Sequence, residues 1–469
     1  MEFQIKLDRT DSVKLSQQIT RTIREAILTR QLKAGNKLPP TRDLAQRLQV
    51  SRMVVVEAYE CLAADGYIET IPGSGTFITS RIKPSQNVAE HFSEPKRRTD
   101  ILPDKPVSIN FRPGLPALDL FPRQVWKKSL SKALCHTDND LLGYGPVEGL
   151  PRLRQLIANY VARSRGLPVA AEQVIITVGA AQAFDLLIRS LFPIDNIAVE
   201  NPGSEPVFRL INLGGIKALP IPVDENGLCV EKLMLVKNPP KLVHVMPSHQ
   251  YPTGWTMSLE RRLDLLNWAN EHEAYIIEDD YDSEFRFDRQ PPIALAAIDS
   301  IQRVVYVGTF SKTMFPGLRL GFCILPEKLI PRVLDLKWFS DRCVPIICQL
   351  AMADWLESGL FERHIHKMRS VYAQRREALI EALNKNFYNN YQMSGVPAGV
   401  HSLVNFSIQK SEDQLINLAL ENGIRVYPAS LCHFKKEEIT LPGIIFGYGH
   451  LKPEQIYQGV DKLAKAWLS

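Results

Sequence analysis

Residues 308–321 read Gly308-Thr309-Phe310-Ser311-Lys312-Thr313-Met314-Phe315-Pro316-Gly317-Leu318-Arg319-Leu320-Gly321. The apolar run Val304-Val305-Tyr306-Val307 stands just before them, so the pattern predicts a buried strand that delivers Lys312 at its carboxyl end. A lysine placed there, with Ser311 and Arg319 beside it, can form a Schiff base with an aldehyde while hydroxyl and guanidinium hold a phosphate on the same molecule. A second run, Tyr275-Ile276-Ile277, precedes Glu278-Asp279-Asp280-Tyr281. Asp279, expected just after that strand, can pair with a protonated ring nitrogen, and Tyr281 can hydrogen-bond a phenolic ring oxygen. A third run, Val174 to Val178, leads into Gly179-Ala180-Ala181-Gln182, a turn opening a helix, where free N–H groups and the helix dipole favour a phosphate. Each feature alone is weak, since most lysines are solvated and residues 278–280 also fit an exposed acidic turn. Together they provide for the aldehyde, phosphate, ring nitrogen and ring oxygen of one ligand.

Outward from this segment, apolar runs such as Lys241-Leu242-Val243-His244-Val245 alternate with helical patterns. That alternation predicts an α/β domain whose active residues lie where strands end, over residues 109–469. Residues 81–108 carry Pro84, Pro95, Pro103, Pro106 and the basic run Lys96-Arg97-Arg98, without a sustained apolar period, and are expected to form a flexible linker. Residues 1–80 differ again. Ile19, Ile23 and Ile27 mark an amphipathic helix from Leu15 towards Leu32, a second helix is expected after Leu38-Pro39-Pro40 with Thr41 as N-cap, and a third from Ser51 to about Asp65. A hairpin follows, with Pro72-Gly73-Ser74-Gly75 as its turn.

The 469 residues exceed one domain, and 45% hydrophobic with 23% charged residues exclude global disorder. The N-terminus lacks the apolar core of a signal peptide and no run is long enough to span a membrane, so a cytoplasmic location is expected. The seven cysteines are scattered, never Cys-x-x-Cys, and read as reduced thiols. His364 and His366, two apart, fall on different helix faces, and no metal site is assigned.

In a helix-turn-helix the first residues of the second helix face base edges in the major groove. Here these are Ser51, Arg52, Met53 and Val54. Arg52 can grip guanine through two parallel hydrogen bonds, Ser51 can cap the helix, Met53 and Val54 can meet a thymine methyl, and Thr41 and Arg42 are placed for phosphate. The turn at Gly73 would serve as a wing towards the minor groove. Net charge does not decide the matter, because residues 1–80 hold eleven Lys and Arg against nine Asp and Glu. The alternative is a small helical dimerisation or protein-binding module in which the arginines form a solvated face.

The order of features is more specific. Leu38-Pro-Pro-Thr-Arg-Asp-Leu-Ala, Val50-Ser-Arg52, Ala58-Tyr59, Gly66 and Gly73-x-Gly-Thr-Phe77 together resemble the winged helix-turn-helix of GntR-type bacterial regulators. Pro247-Ser-His-Gln-Tyr-Pro-Thr-Gly254, Glu278-Asp-Asp-Tyr-Asp-Ser-Glu-Phe285 and residues 308–321, with Phe111-Arg-Pro-Gly114 and Gly143-Tyr-Gly-Pro146, resemble the aminotransferase-type domain of MocR regulators, a GntR subfamily. The resemblance implies an N-terminal winged helix-turn-helix joined to a fold-type I α/β domain that binds pyridoxal 5'-phosphate, in a homodimer that binds double-stranded DNA and a small-molecule effector. It makes Lys312 the Schiff-base lysine, Asp279 the pyridine partner, Tyr281 the ring-oxygen contact, and Ser311 with Arg319 the phosphate clamp. Gly179, Ala180 and Ala181 become the phosphate turn, and Tyr144 resembles the tyrosine that reaches the phosphate from the other subunit. Tyr251 falls where related aminotransferases have asparagine.

The departures are equally specific. Ser204 stands where the relatives place a ring-stacking tyrosine, and Gly443-Ile444-Ile445-Phe446-Gly447-Tyr448 lacks the arginine that takes a substrate carboxylate. The resemblance therefore implies cofactor capture without ordinary amino-acid recognition, leaving residues such as Arg112 to bind an amine effector. A working aminotransferase with a DNA-binding appendage is the alternative, and a cofactor-free dimer scaffold the third.

Overall fold

The computed structural model describes residues 5–29, 31–79, 107–135, 137, 139–288, 290–434 and 441–469. It divides into two compact units, Met1–Asp104 and Lys105–Ser469. The expected linker, residues 81–108, lies outside the described residues except for its last two.

In the first unit α1 (Leu15–Leu28), α2 (Thr41–Leu48) and α3 (Arg52–Ala64) precede a hairpin of β1 (Ile68–Ile71) and β2 (Gly75–Ile78). Ile19, Ile23, Val55 and Leu62 are all but fully buried in the core beneath them. Burial of each contributes about 1.5–3 kcal/mol. Helix α1 stops at Leu28, four residues short of the expected end. Thr41 is the first helical residue rather than the cap: Pro40, with φ −54° and ψ 144°, is the residue entering the helix. Proline tolerates that place because its missing N–H has no partner to lose. Gln49 closes α2 in a left-handed conformation, φ 52°, turning the chain into α3. The Tyr59 hydroxyl donates to the Pro39 carbonyl at 2.9 Å and ties α3 to the start of α2.

The second unit carries a short parallel pair of β3 (Ile109–Asn110) and β14 (Ile424–Arg425). Its main sheet is built from β4 (Val174–Thr177), β5 (Asn196–Asn201), β6 (Lys217–Asp224), β7 (Gly227–Leu228), β8 (Leu242–Val245), β9 (Tyr275–Asp280), β10 (Val304–Thr309) and β11 (Gly321–Ile324). The strand order is β4-β11-β10-β9-β8-β5-β6-β7, in which β11 runs antiparallel to both neighbours and β10, β9, β8, β5 and β6 are parallel. The carboxyl ends of the parallel strands therefore share one edge, and the start of β11 joins them there through the pairs Thr309 with Gly321 and Gly321 with Thr177. A smaller antiparallel sheet orders β12 (Tyr391–Met393), β13 (His401–Phe406), β16 (Gly443–Gly447) and β15 (Tyr427–Pro428). The 28-residue helix Leu360–Phe387 links the two cores: Phe361, Met368 and Tyr372 pack beneath the main sheet, Leu379, Leu383 and Phe387 beneath the smaller one. Along it His364 is buried and His366 exposed, on opposite faces as their spacing predicts. Among the described residues no helix is long and apolar enough to cross a membrane.

Candidate functional site: a lysine, a glycine-led helix start and an exposed helix end

Strand β10 ends at Thr309, and three residues on Lys312 turns inward, its ammonium donating to the Gly114 carbonyl at 2.7 Å. That bond joins the 308–321 segment to Phe111-Arg-Pro-Gly114. Burial pulls the Lys312 ammonium below the usual lysine range, while Asp282 and Asp279 act in the opposite sense. A depressed lysine is readier to be a neutral nucleophile.

Strand β9 extends through Asp280, so Asp279 lies within the strand, whereas the sequence reading places it just after. The correction explains the acidic run. Successive strand residues face opposite sides of the sheet. Glu278 accepts from the backbone N–H groups of Leu295 and Ala296, both at 2.8 Å, and Asp280 pairs with buried Arg165 at 2.7 Å and with the Tyr306 hydroxyl. These two are structural. Asp279 faces the other way, with His244 Nε2 of β8 at 3.4 Å. His244 is a polar residue inside the apolar run of β8, and its pairing depends on which strand lies beside β9.

Strand β4 leads into the helix Ala180–Ser190 through Gly179, whose φ of 83° and ψ of 173° suit only glycine. A Cβ at Gly179 would stand 3.3 Å from Arg319 Nη2. The exposed Arg319 guanidinium donates to the Val178 carbonyl at 2.7 Å. A cation thus lies across a helix start whose first N–H groups, at Ala180 and Ala181, have no partner within the helix. Ser311 is half-buried, its hydroxyl accepting from the Thr309 hydroxyl at 3.1 Å.

Tyr281 follows β9, its hydroxyl 3.1 Å from His249 Nδ1, and burial first, then Asp282, raises its phenol well above the usual range. Tyr251 crosses Tyr281 edge-on at 6.5 Å between centroids and packs on a cluster that includes Cys432 and Ile445. Of the two isoleucines in β16 only Ile445 is on this side; Ile444 belongs to the core of the smaller sheet. Ser204 precedes the helix Glu205–Leu213, and its side chain makes no capping bond there. Arg112 is exposed on the segment leading to Gly114. Tyr144 is 76% exposed, with the Arg342 guanidinium 3.9 Å above its ring. Its ring therefore faces outward on this chain.

In the first unit Arg42, Ser51, Arg52 and Met53 are exposed on adjoining starts of α2 and α3. Ser51 occupies the N-cap position, but its side chain accepts no capping bond, contrary to expectation, and is left free. The Arg52 Nε donates to the Thr41 hydroxyl at 3.4 Å. Met53 is 72% exposed, whereas Val54 is half-buried against the core. Gly73, φ 77°, lies at the exposed turn of the hairpin.

The chain matches the family described as aminotransferase class I and II over residues 108–442, and the gntR family of bacterial regulatory proteins over residues 15–78. It is 34% identical to the probable rhizopine catabolism regulatory protein MocR of Rhizobium meliloti, covering 99% of this chain and 96% of that protein. It is 32% identical to the pyridoxine biosynthesis transcriptional regulator PdxR of Corynebacterium glutamicum, covering 93% and 91%. Among solved structures, the multiple substrate aminotransferase of Thermococcus profundus matches with a TM-score of 0.72 at 28% identity, over 78% of this chain and 92% of that one. The α-aminoadipate aminotransferase LysN of Thermus thermophilus, solved with N-(5'-phosphopyridoxyl)-L-leucine, matches with a TM-score of 0.70 at 26% identity, over 77% and 92%. A helix-turn-helix unit and a fold-type I aminotransferase unit in one chain, shared along nearly its whole length with these regulators, make it a member of the MocR-type, GntR-family transcriptional regulators.

Proposed function

We propose that this DNA-binding regulator carries pyridoxal 5'-phosphate on Lys312 and uses the loaded site as a sensor. The observation that carries the reading is the convergence of Lys312, Asp279, Tyr281 and Arg319 on one sheet edge, Asp279 and Tyr281 at the end of β9 and Lys312 and Arg319 on the segment that joins β10 to β11. The residues fit the group. Lys312 is half-buried, and among the described residues its ammonium bonds to a backbone carbonyl; a carboxylate and a phenol come from the end of β9, and Arg319 lies across a glycine-led helix start. The cofactor supplies an aldehyde for amines and an electron-withdrawing ring. The chain's own part is to hold it: Arg319, Ser311 and the N–H groups after Gly179 bind the phosphate, Asp279 balances a protonated ring nitrogen, and Tyr281 binds the ring oxygen. Tyr251 closes one side with an aromatic face. Tyr144, exposed here, serves the phosphate of a second copy in a homodimer.

The effector is an amine, or the cofactor itself. Ile445 and Ser204 offer a carboxylate no cationic donor, so efficient transamination of common α-amino acids is not expected, and Arg112, whose charge acts on Lys312, is a candidate for binding an anionic effector group. On the DNA side Arg52 and Met53 read bases, Thr41, Arg42 and Ser51 hold phosphates, Val54 supports the helix from within, and Gly73 lets the hairpin turn approach the minor groove. The protein works in the cytoplasm, where DNA, cofactor and effector meet. The test is the visible spectrum of purified protein: absorbance that Lys312→Ala abolishes without unfolding is expected, and a wild type that stays colourless with added cofactor refutes the reading. The retained cofactor residues also favour a second reading, a working aminotransferase, which steady turnover of an amino donor and a keto acid would establish.

A further inference from the structure

Two side chains beside Tyr281, His249 and Asp282, are 4% and 1% exposed. His249 Nδ1 lies 2.8 Å from Asp282 Oδ1 and 3.1 Å from the Tyr281 oxygen. A ring nitrogen has one in-plane site, holding either a proton or a lone pair, and an ionised carboxylate only accepts. The 2.8 Å approach therefore places a proton between nitrogen and carboxylate. The other oxygen of Asp282 has no hydrogen-bond partner among the described residues, so the Nδ1 proton is the side-chain hydrogen bond this buried carboxylate receives, with the Lys312 ammonium acting on it as a second positive group. The backbone is kept clear for the pair: at Gly399, φ 75°, a Cβ would stand 2.3 Å from His249 Cε1 and 2.7 Å from Asp282 Oδ2. A further titratable neighbour of the imidazole is His401, 5.3 Å away between centroids, which burial, then His249 and Lys312, hold well below the usual histidine range.

We propose that Asp282 and His249 are positioning residues for Tyr281. The carboxylate fixes the His249 proton on Nδ1, that nitrogen then has no lone pair to offer the phenol, and the Tyr281 proton is left for the ring oxygen of a bound ligand. Without this arrangement the phenol would spend its proton on the imidazole or the carboxylate. The identity of the ring rests on the cofactor reading; the tautomer does not.

The first test is therefore made without cofactor. In full-length protein with 15N-labelled histidine, and His249→Asn to assign the signal, a proton on Nδ1 is expected near pH 7; a ring protonated at Nε2 alone overturns the proposal. The second uses cofactor-loaded protein and reads the pH midpoint of its visible band. His249→Leu lets Asp282 take the phenol proton, so the midpoint should rise by about one to two units, equivalent to one hydrogen bond to a charged group. His249→Asn, with an amide N–H near the place of Nδ1–H, should keep the wild-type midpoint. In a Tyr281→Phe background His249→Leu should add no further rise. An unchanged midpoint in His249→Leu, or an equal rise without the phenol, overturns the proposal. A wild type that never takes up colour overturns the cofactor reading and with it the ring as the target, whatever the tautomer.

Discussion

Replacing Gly179 by alanine would separate the proposed phosphate turn from the other groups proposed to hold the cofactor. The residue sits at φ 83° and ψ 173°, a region essentially closed to other amino acids, so alanine there costs about 1–3 kcal/mol if the backbone stays in place. Its methyl would also stand 3.3 Å from Arg319 Nη2, closer than ordinary contact. The turn relieves both by rotating, which aims the N–H groups of the helix Ala180–Ser190 and the Arg319 guanidinium away from a common point. Loss of one or two charge-assisted hydrogen bonds, about 1.5–3 kcal/mol, weakens pyridoxal 5'-phosphate roughly 10- to 150-fold. The assay is a titration of cofactor-free protein followed by visible absorbance, run in parallel with pyridoxal, which has the aldehyde and ring but no phosphate. Pyridoxal affinity should change little, because Lys312, Asp279 and Tyr281 are untouched. Equal weakening of both ligands, or unchanged affinity for the phosphate ester, would refute the assignment of this turn.

On DNA, Arg52→Ala should weaken specific binding by about 1–3 kcal/mol and relax preference at one base pair, whereas Arg42→Ala should weaken all sequences alike and flatten the salt dependence; competition against random DNA at several salt concentrations distinguishes them. Asp279→Ala should lower cofactor retention through loss of the counter-charge while His244 stays in place, measured as colour remaining after dialysis. Burial raises the carboxyl of Glu200 to about 8, opposed by the Met246 N–H and the Gln250 amide. The folded state then holds this proton across pH 4.5 to 8 where the unfolded chain has released it, so this group's contribution to stability falls as pH rises through that window, by an amount on the order of a few kcal/mol. Glu200→Gln should make the decline of Tm between pH 5 and 8 shallower, and an unchanged slope would show that Glu200 is ionised when folded.

Lys312, Ser311, Arg319 and the Gly179 turn were legible because each belongs to a local pattern: an apolar run, then a glycine or a cation within a few residues. The same holds for Arg52 and Met53 at the head of a helix whose start lies three residues beyond the αL turn at Gln49. What was not legible depends on neighbours in space. Which acid of residues 278–280 faces the site follows from the pleat of β9, and its His244 contact from β8 lying beside it. The Gly114 carbonyl meets Lys312 from 198 residues away. Only register separates Ile445, on the side of Tyr251, from Ile444 in the opposite core. The caps failed for a local reason: Thr41 and Ser51 have the composition of N-caps, but Pro40 fixes the entry to α2 and the Ser51 hydroxyl stays free at the surface.

The central claim is that occupancy of the Lys312 site is coupled to DNA binding. The most direct measurement is operator affinity of one preparation in three states: cofactor-free, loaded with pyridoxal 5'-phosphate, and loaded with each candidate amine added. A coupling of about 1–3 kcal/mol, a 5- to 150-fold change in Kd between at least two states, is predicted, and Lys312→Ala should remove it. Identical affinities in all three states would contradict the account.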